Sequence, residues 1–122
     1  TFNGNRFDFK VLSRYGPTKE LKKKSIDLHA FVYSSIRKRI PLDSLAEANL
    51  GNNSRKSMTG VEAVQLWRSG DPEKRQMVVE YCRKDVEILI NLHLKLHCDC
   101  LRIPLYSGKT TYLYADGSRK TL

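Results

Sequence analysis

Apolar residues recur at helical spacing through most of the chain and turn β-prone only near its end. In NRFDFKVLSRY, Phe7, Val11, Leu12 and Tyr15 follow one another at steps of four, one and three, one face of a short helix. Asn3-Gly4 ahead of it is a turn signal, and Gly16-Pro17 stops it. A basic loop leads to SIDLHAFVYSSIRKR, where Leu28, Phe31, Val32 and Ile36 predict a second helix. After Pro41, LDSLAEANLG predicts a third, ended by Gly51. NNSRKSMTG is a polar, basic loop, after which Thr59 or Gly60 begins the helix VEAVQLWRSG, with Leu66 and Trp67 as its expected core anchors. Asp71-Pro72 supplies an N-cap and a first-turn proline, with Glu73 behind them. The helical pattern then holds to about residue 97. RIPLY, TTYLYA and RKTL are β-prone, and Asp116-Gly117 reads as a hairpin turn. The expected division is therefore residues 1–100 against a tail, 101–122, that is a β-hairpin or the start of a linker.

The long helix carries an anomaly. Val78, Tyr81, Cys82, Asp85, Leu89, Leu92 and Leu96 share one face, while Arg83, Lys84, Glu87 and Lys95 fall on the other side. Asp85 is thus in line with residues expected to pack. A carboxylate there costs several kcal/mol or a raised pKa unless something compensates, on the order of the penalty for any buried charge. A cap or basic partner, solvent at the rim, or a metal ion would do so. Tyr81 lies four residues before Asp85, so a phenol and a carboxylate project to one place. Asp8 has the same peculiarity, bordering the apolar face of its own short helix just after a strand-like start and a glycine turn.

Charge widens the picture. The 122 residues carry 22 basic and 13 acidic side chains, a net charge of +9. The basic ones cluster in KELKKKS, RKR, SRKS and SRK. Such an excess favours a polyanionic partner through counterion release, although solvated loops account for the same runs. With 40% hydrophobic residues the chain has enough for a core. It holds no apolar run of about eighteen residues, so no membrane span is expected. Three cysteines, with Cys98 and Cys100 too close for an easy disulfide, fit a reducing, cytoplasmic setting. His93, His97, Cys98 and Cys100 could ligate zinc, but no second spaced pair supports them. His29 reads as a helix residue with a hydrogen-bond role.

N-G-x-x-F-D (Asn3, Gly4, Phe7, Asp8) and Y-x-x-x-D (Tyr81, Asp85) resemble the second and third exonuclease motifs of the DEDD superfamily. The tyrosine places the resemblance in the DEDDy branch. The text between them, IDLH and LDSLAEANLG, is similar in order and spacing to ribonuclease-H-like 3′–5′ exonuclease domains found alone or attached to bacterial and archaeal helicases. The proofreading domain of family B DNA polymerases is a more distant likeness. The resemblance covers about residues 1–97 and implies an α/β, ribonuclease-H-like fold.

It also implies hydrolysis of terminal phosphodiesters with two divalent cations, magnesium or manganese. Asp8 and Asp85 would be metal ligands, with oxygen donors suited to hard ions. Tyr81 would orient the attacking water. Asn3 and Phe7 would shape the turn and pack beneath the site, with Asn3 touching substrate, and Arg55 and Lys56 would follow the phosphate backbone. Nucleic acid, DNA or RNA, is the implied partner, with a helicase domain in the same or a neighbouring chain. The family's first motif, D-x-E on the first strand, has no counterpart, since only two residues precede Asn3. The chain therefore reads as the helix-rich C-terminal portion of the domain, with much of the central sheet absent and little activity expected alone. The alternative is a catalytically inactive nucleic-acid-binding or helicase-associated module of the same fold.

Overall fold

Local signals set most helix ends. A computed structural model describes residues 1–51 and 58–122. Within them, α1 (Asp8–Leu12), α2 (Lys19–Lys24), α3 (Leu28–Ile36), α4 (Leu42–Leu50), α5 (Gly60–Arg68) and α6 (Pro72–Cys98) precede β1 (Leu101–Pro104), β2 (Thr110–Leu113) and β3 (Arg119–Thr121). Thr59 and Glu62 form a reciprocal capping box on α5: the Glu62 N–H donates to Thr59 Oγ1 at 3.2 Å, and the Thr59 N–H to Glu62 Oε2 at 2.6 Å. Asp71 caps α6 by accepting from the Glu73 N–H at 2.9 Å, with Pro72 as the first helical residue. Gly51 closes α4 at φ +92°, a conformation that costs a side-chain-bearing residue.

One element was not legible as a helix. KELKKK reads as a basic loop, yet it forms α2, held by the Lys22 N–H on the Thr18 carbonyl and a surface Lys23–Glu20 pair at 3.2 Å. It buries none of its residues, so it leaves no apolar period to read.

The core gathers Leu28 and Val32 of α3, Leu42, Leu45 and Ala46 of α4, and Ile88, Leu92 and Leu96 of α6 against the sheet. The three strands are antiparallel in the order β1-β2-β3. Leu101 pairs with Leu113 and Ile103 with Thr111, all buried on the inner face. The expected Asp116-Gly117 turn joins β2 to β3, with Gly117 at φ +84°. Leu101, Ile103 and Leu113 lie in the same cluster as Leu92, so β1 and β2 join the helical core, while β3 pairs with β2 and is exposed.

Two side chains fasten that sheet to the helices. Asn49 of α4 treats β1 as a strand edge: its Oδ1 accepts from the Arg102 N–H at 2.8 Å, and its Nδ2 donates to the Arg102 carbonyl at 2.9 Å. The amide thereby satisfies a backbone pair that would otherwise face water or another strand. Arg119 of β3 donates to the Ser35 carbonyl of α3.

Three packing expectations need correction. The predicted face of α1 is exposed, with Phe7 at 64% and Tyr15 at 86%, and the helix is anchored by Phe9 instead, 3% exposed. So Phe7 does not pack beneath the site. A five-residue helix needs only one anchor, and the single buried ring outweighs the spacing of the others. Trp67 is 48% exposed and does not anchor α5. The Arg75 guanidinium lies 5.2 Å from its ring centroid and its Nε donates to the Trp67 carbonyl at 3.1 Å. On α6 burial begins only at Ile88, which the predicted stripe omits, while Cys82 is exposed.

Leu92→Ala leaves a cavity in the centre of this cluster and is expected to cost about 2–5 kcal/mol in urea denaturation. Asn49→Ala, which strips both partners from Arg102, is expected to cost about 1 kcal/mol in the same measurement.

Candidate carboxylate site

The start of the chain is held against the start of α3. Thr1 N donates to the Ile26 carbonyl at 2.7 Å, and the Leu28 N–H returns a bond to the Thr1 carbonyl at 2.9 Å. Asp27 then captures the turn that follows. Its Oδ1 accepts from the Asn3 N–H at 2.8 Å and the Ala30 N–H at 3.2 Å, and its Oδ2 from the Asn5 N–H at 3.1 Å. One buried carboxylate thus caps α3 and clamps the Asn3-Gly4 turn, each bond strengthened by its charge.

The turn is tight enough to specify its residues. Asn3 sits at φ 62°, the left-handed region that asparagine tolerates better than most. A Cβ on buried Gly4 would lie 2.5 Å from Thr1 Oγ1, so no other residue fits there without displacing Thr1. Phe7 N–H and Arg6 N–H return to the Asn3 carbonyl, at 3.1 and 3.2 Å, and α1 begins with Asp8.

Asp8 and Asp85 line one cavity of about 440 Å³, together with Thr1, Phe2, Leu42, Val86 and Leu89. The two acids therefore converge from opposite parts of the sequence, one from the first turn of α1 and one from the middle of α6. Asp85 is half-buried with its Oδ1 shielded from solvent, and Asp8 is exposed. Tyr81 lies one helical turn before Asp85 on the same face of α6, also half-buried. Asn3 lies across the turn and lines a neighbouring cavity, while Phe7 projects to solvent. Arg55 and Lys56 lie outside the described residues.

Carboxylate oxygens are the donors that magnesium and manganese take, so the chemistry of this pair fits a divalent ion. Among the described residues no three His, Cys, Asp or Glu side chains gather as a metal cluster. The HLKLHCDC segment does not assemble one either. His93 and His97 pack edge to face at 4.4 Å, Cys98 is exposed and Cys100 buried. Sequence reasoning missed Asp27 as the part that fixes the site. An Asp directly before an apolar run signals a helix N-cap, but nothing local announces its bonds to Asn3 and Asn5.

The RNase_H_2 family model, of the RNase_H superfamily, matches residues 1–97. The chain belongs to that family. No curated protein and no solved structure matched it. The matched span runs from the Asn3-Gly4 turn through Asp8, Tyr81 and Asp85 to near the end of α6, and leaves out the three-stranded sheet. RNase H superfamily membership implies a nuclease-type fold and nucleic acid as its substrate. No helix of the described chain is long and apolar enough to cross a membrane.

Asp27→Ala is expected to release the Asn3-Gly4 turn. Amide exchange at Asn3 and Asn5 should accelerate, with a stability loss of about 2–4 kcal/mol from the lost charge-assisted bonds. The thiols should also separate by reactivity. Burial foremost, and then the neighbouring Asp99 carboxylate, hold the Cys100 thiol above its ordinary pKa. Near neutral pH, iodoacetamide is therefore expected to modify Cys82 and Cys98 well before Cys100, as peptide mapping would read.

Proposed function

We propose that this chain serves a metal-dependent 3′–5′ exonuclease of the DEDDy type, hydrolysing terminal phosphodiesters of nucleic acid. The observation that carries the reading is the meeting of Asp8 and Asp85 in one cavity, inside a segment that the RNase H superfamily matches. Each acid taken alone is a common residue at a helix face. Together in a cavity wall, with Tyr81 one turn away, they supply part of what metal-assisted phosphoryl transfer asks of a protein.

In this reading the carboxylates of Asp8 and Asp85 hold magnesium or manganese, which when bound supplies Lewis-acid stabilisation of the phosphoryl oxygens and a more acidic water. The rest falls to the chain's own groups. The Tyr81 hydroxyl orients the attacking water by a hydrogen bond and fixes its line of approach, an effect of positioning. Phe2, Val86 and Leu89 give the cavity an apolar wall beside the carboxylates. Phe7, exposed at the turn, offers a ring face to the terminal base, and Asn3 contacts the strand beside it. Arg55 and Lys56 contact backbone phosphates, which fixes the strand's path and carries no base information.

A second reading has its own supporting observation. Because no group of three or more candidate ligands gathers among the described residues, the same fold could bind nucleic acid without cleaving it. The two separate in a nuclease assay on the polypeptide extended upstream to include a D-x-E strand. The exonuclease reading predicts magnesium- or manganese-dependent shortening from 3′ ends, abolished by Asp8→Ala or Asp85→Ala, with Tyr81→Phe slowing turnover more than it weakens strand binding. Binding without shortening would reject it in favour of the inactive module.

A further inference from the structure

The turn that carries Asp8 also walls a second cavity, of about 220 Å³, distinct in chemistry from the first. Asn3, Asn5 and Arg6 enter it from the turn, His29 and Tyr33 from α3, and Arg39 from the connection between α3 and α4. The two cavities share a partition, since the His29 ring packs edge to face on Phe2 at 5.3 Å.

Its electrostatics are one-sided. Two guanidinium groups, Arg6 and Arg39, line it against a single carboxylate, Asp27. That carboxylate is buried, and both its oxygens already accept backbone N–H bonds, from Asn3, Asn5 and Ala30. Asp27 therefore tempers the positive charge and leaves the arginine donors available, with the Asn5 amide beside them. Planar, weakly hydrated guanidinium groups are matched to the paired oxygens of a phosphate. Arg39 also lies 6.0 Å from the centroid of the partly exposed Tyr33 ring, a flat surface suited to a sugar or base. The volume falls below the roughly 300–1,000 Å³ typical of pockets for a whole drug-sized ligand, so it suits a phosphate with part of its nucleoside.

We propose that this cavity binds one nucleotide phosphate, with Arg6 and Arg39 taking its oxygens and Tyr33 flanking the attached nucleoside. The proposal rests on the nuclease reading for its biological sense, because such a nucleotide is either a unit of the bound strand or the released product. Its chemistry is independent of Asp8 and Asp85.

The test is a titration of the chain with a nucleoside 5′-monophosphate, in chelator without divalent metal and at about 0.15 M salt to screen loose surface charge. Amide shifts are followed by NMR. Saturable shifts are expected at Asn3, Asn5 and Ala30, with none from the nucleoside lacking phosphate. Arg6→Ala combined with Arg39→Ala should weaken binding by about tenfold or more, as loss of charge-assisted bonds implies. Both arginines are on the surface, so the variant is expected to keep its fold, checked by circular dichroism. Asp8→Asn with Asp85→Asn should bind as the unaltered chain does, which separates failure of this site from failure of the exonuclease reading. A short oligonucleotide that displaces the monophosphate assigns the site to the strand, and one that does not assigns it to the free nucleotide. Absence of saturable shifts, or shifts that survive loss of both arginines, would overturn the proposal.

Discussion

The Asp27 carboxylate is the constraint on which the arrangement depends. Its three backbone donors come from two separate places, the first turn of the chain and the first turn of α3. An N-cap alone contributes about 1 kcal/mol. Here the same group also holds the turn that contains a left-handed asparagine and a glycine whose Cβ would meet Thr1, which constrains the path of the residues leading to α1. That path sets where Asp8 can stand. With α1 anchored by little more than Phe9, the clamp has more influence on the position of Asp8 than its own helix does.

Asp85 is positioned by a different logic. It lies midway along the 27-residue α6, whose later turns are fixed by Ile88, Leu92 and Leu96 and by the β1 strand that follows. The rigid helix carries the carboxylate to the edge of the core, where burial thins out toward the N-terminal half. One acid is therefore held by hydrogen bonds and the other by packing. Positioning by two independent means makes their meeting in one cavity hard to ascribe to either element alone. The cationic cavity on the far end of the same turn adds an anion-seeking surface to the neighbourhood, in keeping with a net charge of +9.

Much of this was legible in the residues. The helix start at Thr59 or Gly60, the cap at Asp71, the stop at Gly51 and the Asp116-Gly117 turn are short-range signals, and each appears where its chemistry places it. The anomaly of Asp85 in an apolar stripe, joined to the motif at Asn3–Asp8, pointed to both carboxylates of the cavity. What failed did so for identifiable reasons. Polar α2 has no period to detect. Phe7 and Phe9 lie two residues apart, and the spacing of the neighbouring apolar residues pointed to Phe7, whereas Phe9 is the buried ring. Trp67 was expected as a core anchor, yet it is half exposed, with the Arg75 guanidinium against its ring. The Asp27 clamp and the Asn49 bridge to β1 join residues distant in sequence, and no local pattern encodes such bonds.

Two carboxylates drawn into one pocket by separate forces should respond as a unit to a single ion. The most direct measurement is manganese added in small amounts to isotope-labelled chain, read as paramagnetic broadening of backbone amides. The account predicts that amides flanking Asp8 and those flanking Asp85 broaden together, and that Asp85→Asn removes the broadening at both. Broadening confined to one of the two segments, or persisting around Asp8 in that variant, would contradict it.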